Sequence, residues 1–130
     1  MNKNNSLEVI KDCTTYIKNH LQDTLTAESL ASRYGYSLYH FCHIFKICCD
    51  MSPGKYIRLL RLEKAKKDIL SGMSITQAGF DNGFETSSGF SKAFRKEYGI
   101  SAREYLKQNK ESEVLIMLHV EIKTLQSQTA

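Results

Sequence analysis

The sequence predicts an all-α fold of seven helices, and three observations lead to this prediction. Apolar residues recur three and four positions apart along most of the chain, which is the spacing of one face of a helix. Serine or threonine residues that can cap a helix precede most of these stretches, and glycine follows several of them. The 130 residues, of which 42% are hydrophobic and 25% charged, are typical of one small globular domain.

The helix boundaries are predicted from capping residues. Ser6 is expected to cap the first helix, after frayed residues 1–5. Ser52-Pro53 marks the start of the fourth helix most clearly, because proline suits the first helical position. Capping boxes are predicted at Ser74 and Ser101, each of which has Gln or Glu three positions later. The predicted spans are about 6–20, 26–34, 37–48, 52–71, 74–81, 86–98 and 101–108.

A pattern of helix, glycine-containing turn and second helix occurs twice in the chain. Gly35-Tyr36 in the first copy corresponds to Gly83-Phe84 in the second. A short helix, a tight turn and a second helix with a polar face make up the helix-turn-helix plan. We therefore expect residues 1–109 to form two such subdomains joined by a linker helix. The expected ranges are about 6–51 for the first unit, 52–71 for the linker and 73–109 for the second unit.

The apolar positions of these helices are expected to form the core. In the helix predicted at about 86–98, Phe90, Ala93 and Phe94 fall at i, i+3 and i+4, so they share one face. The other positions expected to be buried include Cys13, Leu30, Ala31, Leu38, Phe41, Phe45, Cys48, Ile57, Leu60, Leu62, Ala65, Ile69, Leu70, Ala78 and Phe80.

The second helix of each helix-turn-helix, predicted at about 37–48 and 86–98, also has a polar face. Small hydroxyls and cations on such a face can enter a groove of duplex DNA and hydrogen-bond to bases and phosphates. A solvated surface helix is the alternative for either helix taken alone, but two coincident polar faces explain the duplication poorly. The candidate contact residues are Tyr39, His40, Cys42, His43 and Lys46 in the first unit, and Ser87, Ser88, Ser91, Lys92 and Arg95 in the second.

The charge distribution favours a polyanionic partner. The net charge is only +4, from 18 basic and 14 acidic residues. Between Lys46 and Lys67, however, seven basic residues stand against two acidic ones. A local basic stripe matters more for binding a polyanion than the total charge does. The chain has no signal segment and no apolar run near the roughly 20 residues that cross a bilayer, so we expect a cytoplasmic protein with no membrane partner.

The sequence predicts no enzyme activity, no metal and no cofactor. It contains no paired carboxylates at a plausible site and no glycine loop that could hold a phosphate. The four cysteines, Cys13, Cys42, Cys48 and Cys49, are expected to be free thiols without zinc-site spacing. A redox or metal sensor formed by Cys42, His43, Cys48 and Cys49 remains as the less favoured interpretation.

The last segment, residues 110–130, differs from the rest. Val120 to Leu125 alternates apolar and polar residues with period two, which favours a strand. We interpret the segment as a plain tail or as the beginning of a further domain.

At these motifs the sequence resembles the AraC/XylS family of bacterial transcription activators, over about residues 9–108. The resemblance rests on Gly35-Tyr36-Ser37, Ser52-Pro53-Gly54-Lys55-Tyr56-Ile57 and Phe90-Ser91-Lys92-Ala93-Phe94-Arg95-Lys96, among other segments. It implies that the two recognition helices enter successive major-groove segments of double-stranded DNA, with RNA polymerase as the protein partner. It also implies that the terminal segment begins a domain for a small-molecule effector, as in some relatives.

Carried over by position, the resemblance puts the DNA-reading residues at Tyr39, Cys42, His43 and Lys46, and at Ser87, Ser88, Gly89 and Lys92, with Arg95 and Lys96 beside them. Better-known members have Trp, Gln and Arg at such positions. A thiol is a poor hydrogen-bonding group and glycine has no side chain, so base contacts should be sparse and phosphate contacts relatively important. The alternative function is that of a helical protein-interaction module docking on polymerase or another regulator.

Overall fold

The computed structural model describes residues 3–128, and the seven predicted helices are all present in that range. No strand occurs among these residues, and none of their helices is long and apolar enough to pass through a bilayer. The helices are α1 (Lys3–Asn19), α2 (Ala27–Arg33), α3 (Leu38–Cys49), α4 (Pro53–Leu70), α5 (Ile75–Asp81), α6 (Ser87–Tyr98) and α7 (Ala102–Gln128).

Side-chain caps fix most helix starts, with two corrections to the predicted capping. The hydroxyl of Ser74 accepts from the backbone N–H of Gln77, but the Gln77 side chain donates to Asp81 and does not complete a capping box. A reciprocal box instead joins Thr26 and Ser29. The prediction for Ser6 is wrong, because α1 already begins at Lys3 and Ser6 lies inside the helix. Residues 1 and 2 lie outside the described residues.

The core consists of two clusters that share only the linker helix α4. Ile57 of α4 belongs to the cluster of the first unit, whereas Leu62, Ala65 and Ile69 belong to that of the second. The buried residues of the first cluster are Ile10, Cys13, Ile17, Leu21, Leu30, Ala31, Phe41, Ile44, Phe45 and Ile57. Those of the second are Leu62, Ala65, Ile69, Ala78, Phe90, Phe94 and Ala102.

Four residues predicted to be buried are exposed. Leu38 and Cys48 lie at the edges of the apolar stripe of α3, whereas Ile44, which was not predicted to be buried, is buried there. The other two, Leu70 and Phe80, lie at the last positions of α4 and near the end of α5, where the packed face of each helix ends. These exceptions leave the predicted all-helical fold unchanged.

Polar contacts attach α4 to the second unit. The Tyr98 hydroxyl donates to Glu63 Oε1 at 2.7 Å. Lys66 Nζ lies 4.4 Å from the centre of the Tyr98 ring and 5.4 Å from that of Tyr105, and it pairs with Glu63 at 3.1 Å. Two of the seven cations in the predicted basic stripe, Lys64 and Lys66, are therefore engaged in intramolecular ion pairs, since Lys64 pairs with Asp68.

The predicted C-terminal strand is wrong, because α7 continues as a helix through this segment. A strand in an all-helical fold would leave its backbone N–H and C=O groups without partners, whereas a helix pairs them internally. The apolar residues of this part are all at least half exposed: Val114, Leu115, Ile116, Met117, Leu118, Val120, Ile122 and Leu125.

Candidate nucleic-acid interface

The first recognition helix, α3, is set by a tight turn after α2. Gly35 has φ +74°, and the backbone N–H of Tyr36 donates to Ala31 O at 2.9 Å, which closes the turn. Ser37 then caps α3 by accepting from the N–H of His40. Phe41 and Phe45 anchor the opposite face of α3 in the core, so its polar face is held toward solvent.

Aromatic rings dominate that polar face. Tyr39 is 84% exposed, and its ring is parallel to that of His43, with the ring centres 6.3 Å apart and the planes at 4°. His40 instead packs edge-on against Tyr36, with ring centres 5.1 Å apart. Lys46 is exposed one turn beyond His43, and Cys42 is half-buried between the core and this face. The structure thus gathers Tyr39, His43 and Lys46 on one surface and places His40 to one side.

The second recognition helix, α6, presents a different surface. Thr86 caps it by accepting from the N–H of Gly89 at 2.9 Å. A Cβ at Gly89 would lie only 2.9 Å from this hydroxyl oxygen, so the absence of a side chain allows the short capping bond. Any contact of Gly89 with DNA would therefore involve its backbone. The remaining predicted residues of α6 are all exposed: Ser87, Ser88, Ser91, Lys92, Arg95 and Lys96.

A cationic cleft of about 500 Å³ lies between the start of α4 and the middle of α6. Its cations are Lys55 and Arg58 from α4 and Lys92 and Lys96 from α6, and its only carboxylate is that of Glu97. Within residues 3–128, none of these four cations forms an ion pair. A groove with unpaired cations on both walls suits a phosphate backbone, because each can neutralise a phosphate and release a counterion.

Sequence reasoning did not assign Lys55 and Arg58 to the interface. Both were counted in the basic stripe, but the stripe alone does not indicate which of its members face α6. Their spacing of three residues, directly after the Ser52 cap, places them on one face of α4, but it does not show that this face meets α6. Lys66, from the same stripe, lies away from the cleft under the Tyr98 and Tyr105 rings.

The thiols form no evident chemical site. In the described part of the chain, no three His, Cys, Asp or Glu side chains are grouped so that they could hold a metal ion. Cys48 is exposed, Cys42 and Cys49 are half-buried, and Cys13 is buried in the first cluster. Burial raises the pKa of the Cys13 thiol to about 12, with the neighbouring Cys49 and Asp12 adding to the effect.

The helix-turn-helix fold of the chain is shared with known proteins. A family model described as a helix-turn-helix domain matches residues 30–108. The transcriptional activator RhaS of Escherichia fergusonii is 33% identical over 90 residues, which cover 68% of this chain and 32% of RhaS. The chain thus spans about a third of the length of that relative, and the same holds for the right origin-binding protein of Escherichia coli.

Two solved structures resemble the chain in fold. An AraC-type DNA-binding-domain regulator from Chromobacterium violaceum superposes with a TM-score of 0.72 at 26% identity, covering 80% of this chain and 94% of its own. The DNA-binding domain of AdpA, solved with a target DNA, superposes with a TM-score of 0.75 at 19% identity, covering 79% of this chain and 94% of its own. At that identity, the AdpA structure supports the fold alone.

Proposed function

Because this chain belongs to the AraC/XylS family of helix-turn-helix transcription regulators, we propose that one copy binds a specific duplex sequence through both α3 and α6. The two helices read adjacent major-groove segments, and the cationic cleft holds the sugar-phosphate backbone. The observation that supports this most strongly is the cleft itself, where Lys55, Arg58, Lys92 and Lys96 converge beside the exposed face of α6.

The side chains of α3 and α6 suit the two helices to different kinds of DNA contact. On α3, the exposed rings of Tyr39 and His43 offer apolar surface for a thymine methyl group, and the imidazole can hydrogen-bond to a base edge. On α6, the hydroxyls of Ser87 and Ser88 are short and suit contacts near the backbone. The first unit therefore supplies more of the sequence discrimination, and the second unit more of the electrostatic affinity.

The proposal is tested by selecting bound sequences from random duplex DNA and measuring the affinity for the selected sequences as a function of salt concentration. The expected site is asymmetric and bipartite, with its halves roughly 34 Å apart, because the two units differ at nearly every reading position. With four cleft cations engaged, the slope of log affinity against log salt should be about −3 to −4 or steeper. A palindromic site occupied only by a dimer, or no sequence preference at all, would contradict the proposal.

We further propose that the bound chain activates transcription by contacting RNA polymerase. The support is that RhaS, one of the relatives, is a transcriptional activator. The test is transcription in vitro from a promoter that carries the selected site at several distances upstream. Activation should depend on that distance, because a protein contact needs a fixed geometry. Repression at every distance would contradict an activator role while leaving DNA binding intact.

A further inference from the structure

Arg61 lies in α4 where the two core clusters meet, between Ile57 of the first and Leu62 of the second. Its guanidinium reaches back to the segment after α1. Nε donates to Leu21 O at 3.0 Å, and Nη2 donates to Asp23 O at 2.8 Å. These two bonds join the middle of the linker helix to the first unit across about forty residues of sequence.

The same side chain contacts the second unit at Gly83. This glycine lies in the turn between α5 and α6 with φ +89°. A Cβ at Gly83 would lie 2.7 Å from Arg61 Nε and 2.9 Å from Leu21 O. The segment after α1, the middle of α4 and the turn before α6 therefore meet at one point, and the contact is too close for any residue with a side chain.

The buried clusters of the two units share only α4, so apart from this helix no common core fixes the orientation of one unit against the other. Arg61 is half-buried, which lowers the pKa of its guanidinium, and it forms no ion pair within residues 3–128. Its planar fork instead gives two directional bonds to fixed backbone carbonyls, and directional bonds define an orientation better than a point charge does.

We propose that Arg61 is a positioning residue that holds the second unit in register with the first, so that α3 and α6 engage one DNA duplex together. This inference rests on the proposed bipartite binding. Arg61 itself need not touch DNA. When two binding elements are held at the correct spacing, the second binds at a high effective concentration, and this advantage is lost when the geometry becomes loose.

The experiment compares affinity for the selected full site with affinity for sites in which one half is scrambled. In Arg61→Ala, full-site affinity should fall by about tenfold or more toward the half-site value, while half-site affinities stay within about twofold of wild type. Lys67→Ala is the matched control, since it removes the same charge from an exposed position of α4. It should leave the ratio of full-site to half-site affinity unchanged. The ratio of full-site to half-site affinity for Arg61→Lys should lie between those of wild type and Arg61→Ala, because an ammonium keeps the charge but lacks the planar fork.

Gly83→Ala provides a second route to the same result. The added methyl group should displace the Arg61 side chain and lower the same ratio. In the Arg61→Ala background, Gly83→Ala should reduce the ratio less than it does in the wild type, because its clash with Arg61 is gone while its approach to Leu21 O and the positive φ remain. All measurements are made where circular dichroism and thermal melts show each variant folded, and Arg61→Lys serves if Arg61→Ala does not fold.

The outcomes separate the inference from the function on which it rests. If the wild type selects a bipartite site and folded Arg61→Ala keeps the wild-type ratio, the positioning role is wrong and the proposed function stands. If the wild type prefers no bipartite site, the proposed function is wrong and the positioning role is overturned with it.

Discussion

The side-chain amide of Asn82 donates to Asp68 Oδ2 at 2.9 Å and to Ala78 O at 2.8 Å, and Asn82 is completely buried. Asn82 ends α5 immediately before the turn at Gly83, and Asp68 lies on α4. The bond therefore fixes the turn of the second helix-turn-helix to the linker helix. The single amide oxygen, Oδ1, is buried without a hydrogen-bond partner in the described part of the chain, so the two donated bonds are the hydrogen bonds that hold this side chain.

Asn82→Asp should destabilise the protein by about 3 kcal/mol or more at neutral pH, because it replaces two donors with a buried carboxylate facing that of Asp68. The loss should shrink in acid, where a protonated carboxyl carries no charge and can donate again. Urea unfolding at about pH 7 and pH 4 measures the destabilisation and its decrease in acid. Gln77→Glu is the matched control, since Gln77 donates to Asp81 in the same way but on the exposed surface. Equal losses in the two variants would contradict the role assigned to burial.

His43→Ala and Lys92→Ala should affect DNA binding in different ways. His43 lies beside Tyr39 on the exposed face of α3, to which the proposal assigns base contacts, so its loss should relax base preference at one or two positions. Lys92 lines the cationic cleft, so its loss should weaken all sequences alike and reduce the salt slope by about one unit. Competition binding over site variants, repeated at several salt concentrations, distinguishes the two effects. If both variants bound like wild type, neither face would be the DNA-binding surface.

Inserting one alanine between Arg61 and Leu62 should uncouple the two units. The insertion keeps Arg61 attached to the first unit but rotates the second by about 100° and shifts it by about 1.5 Å. Affinity for the full site should then fall to that of a half-site while circular dichroism remains helical. An unchanged footprint in the insertion variant would show that the units are not rigidly coupled.

The length of α4 bears on the shape of the bound DNA. Its 18 residues span about 27 Å, which is shorter than the roughly 34 Å between successive major-groove segments. We expect either a modest bend in the DNA, at a cost of about 1–6 kcal/mol, or weak engagement by the second unit. Electrophoretic mobility of the selected site placed at the centre and at the end of a fragment measures the bend. Straight DNA with both halves protected would contradict this expectation.

Stability should fall in alkali partly through Cys13. Burial raises the pKa of this thiol from 9.0 to about 12, so the neutral form is favoured in the folded state. Because the folded pKa is the higher one, this contribution is complete below pH 9 and is lost as the pH rises toward 12, at about 1.4 kcal/mol per pH unit. In urea unfolding between pH 8 and 11, the free energy of unfolding of Cys13→Ala should fall less steeply with pH than that of wild type. The free energy of unfolding of Cys48→Ala, which removes an exposed thiol, should fall as steeply as that of wild type.

The helices and the core were largely predictable because their signals are local. A serine cap, a proline at the first helical position and apolar residues at i, i+3 and i+4 act within one or two turns, as Ser52-Pro53 and the Phe90–Phe94 face show. The C-terminal strand was mispredicted for the opposite reason. Alternation in Val120 to Leu125 is a local pattern, but a strand depends on a partner elsewhere, and the described residues offer none.

The interface was only partly predictable. The polar faces of α3 and α6 follow from helical periodicity, and the structure exposes those residues as expected, apart from half-buried Cys42. The cleft depends on which side of α4 meets α6, and neither charge counts nor spacing contains that orientation. The same holds for Arg61, whose partners are backbone carbonyls after α1, because a bond to a carbonyl leaves no trace in residue type.

The division of the core into two clusters has a consequence for how the molecule opens. Ile57 and Leu62 lie five residues apart on α4, and each is packed with a different half of the chain, so either half can lose its packing while the other keeps its own. Amide hydrogen exchange should therefore resolve two protection levels, one for α1 to α3 and one for α5 to α6, with α4 shared between them. In the proposed complex, such independent opening would let one unit leave the duplex while the other stays bound.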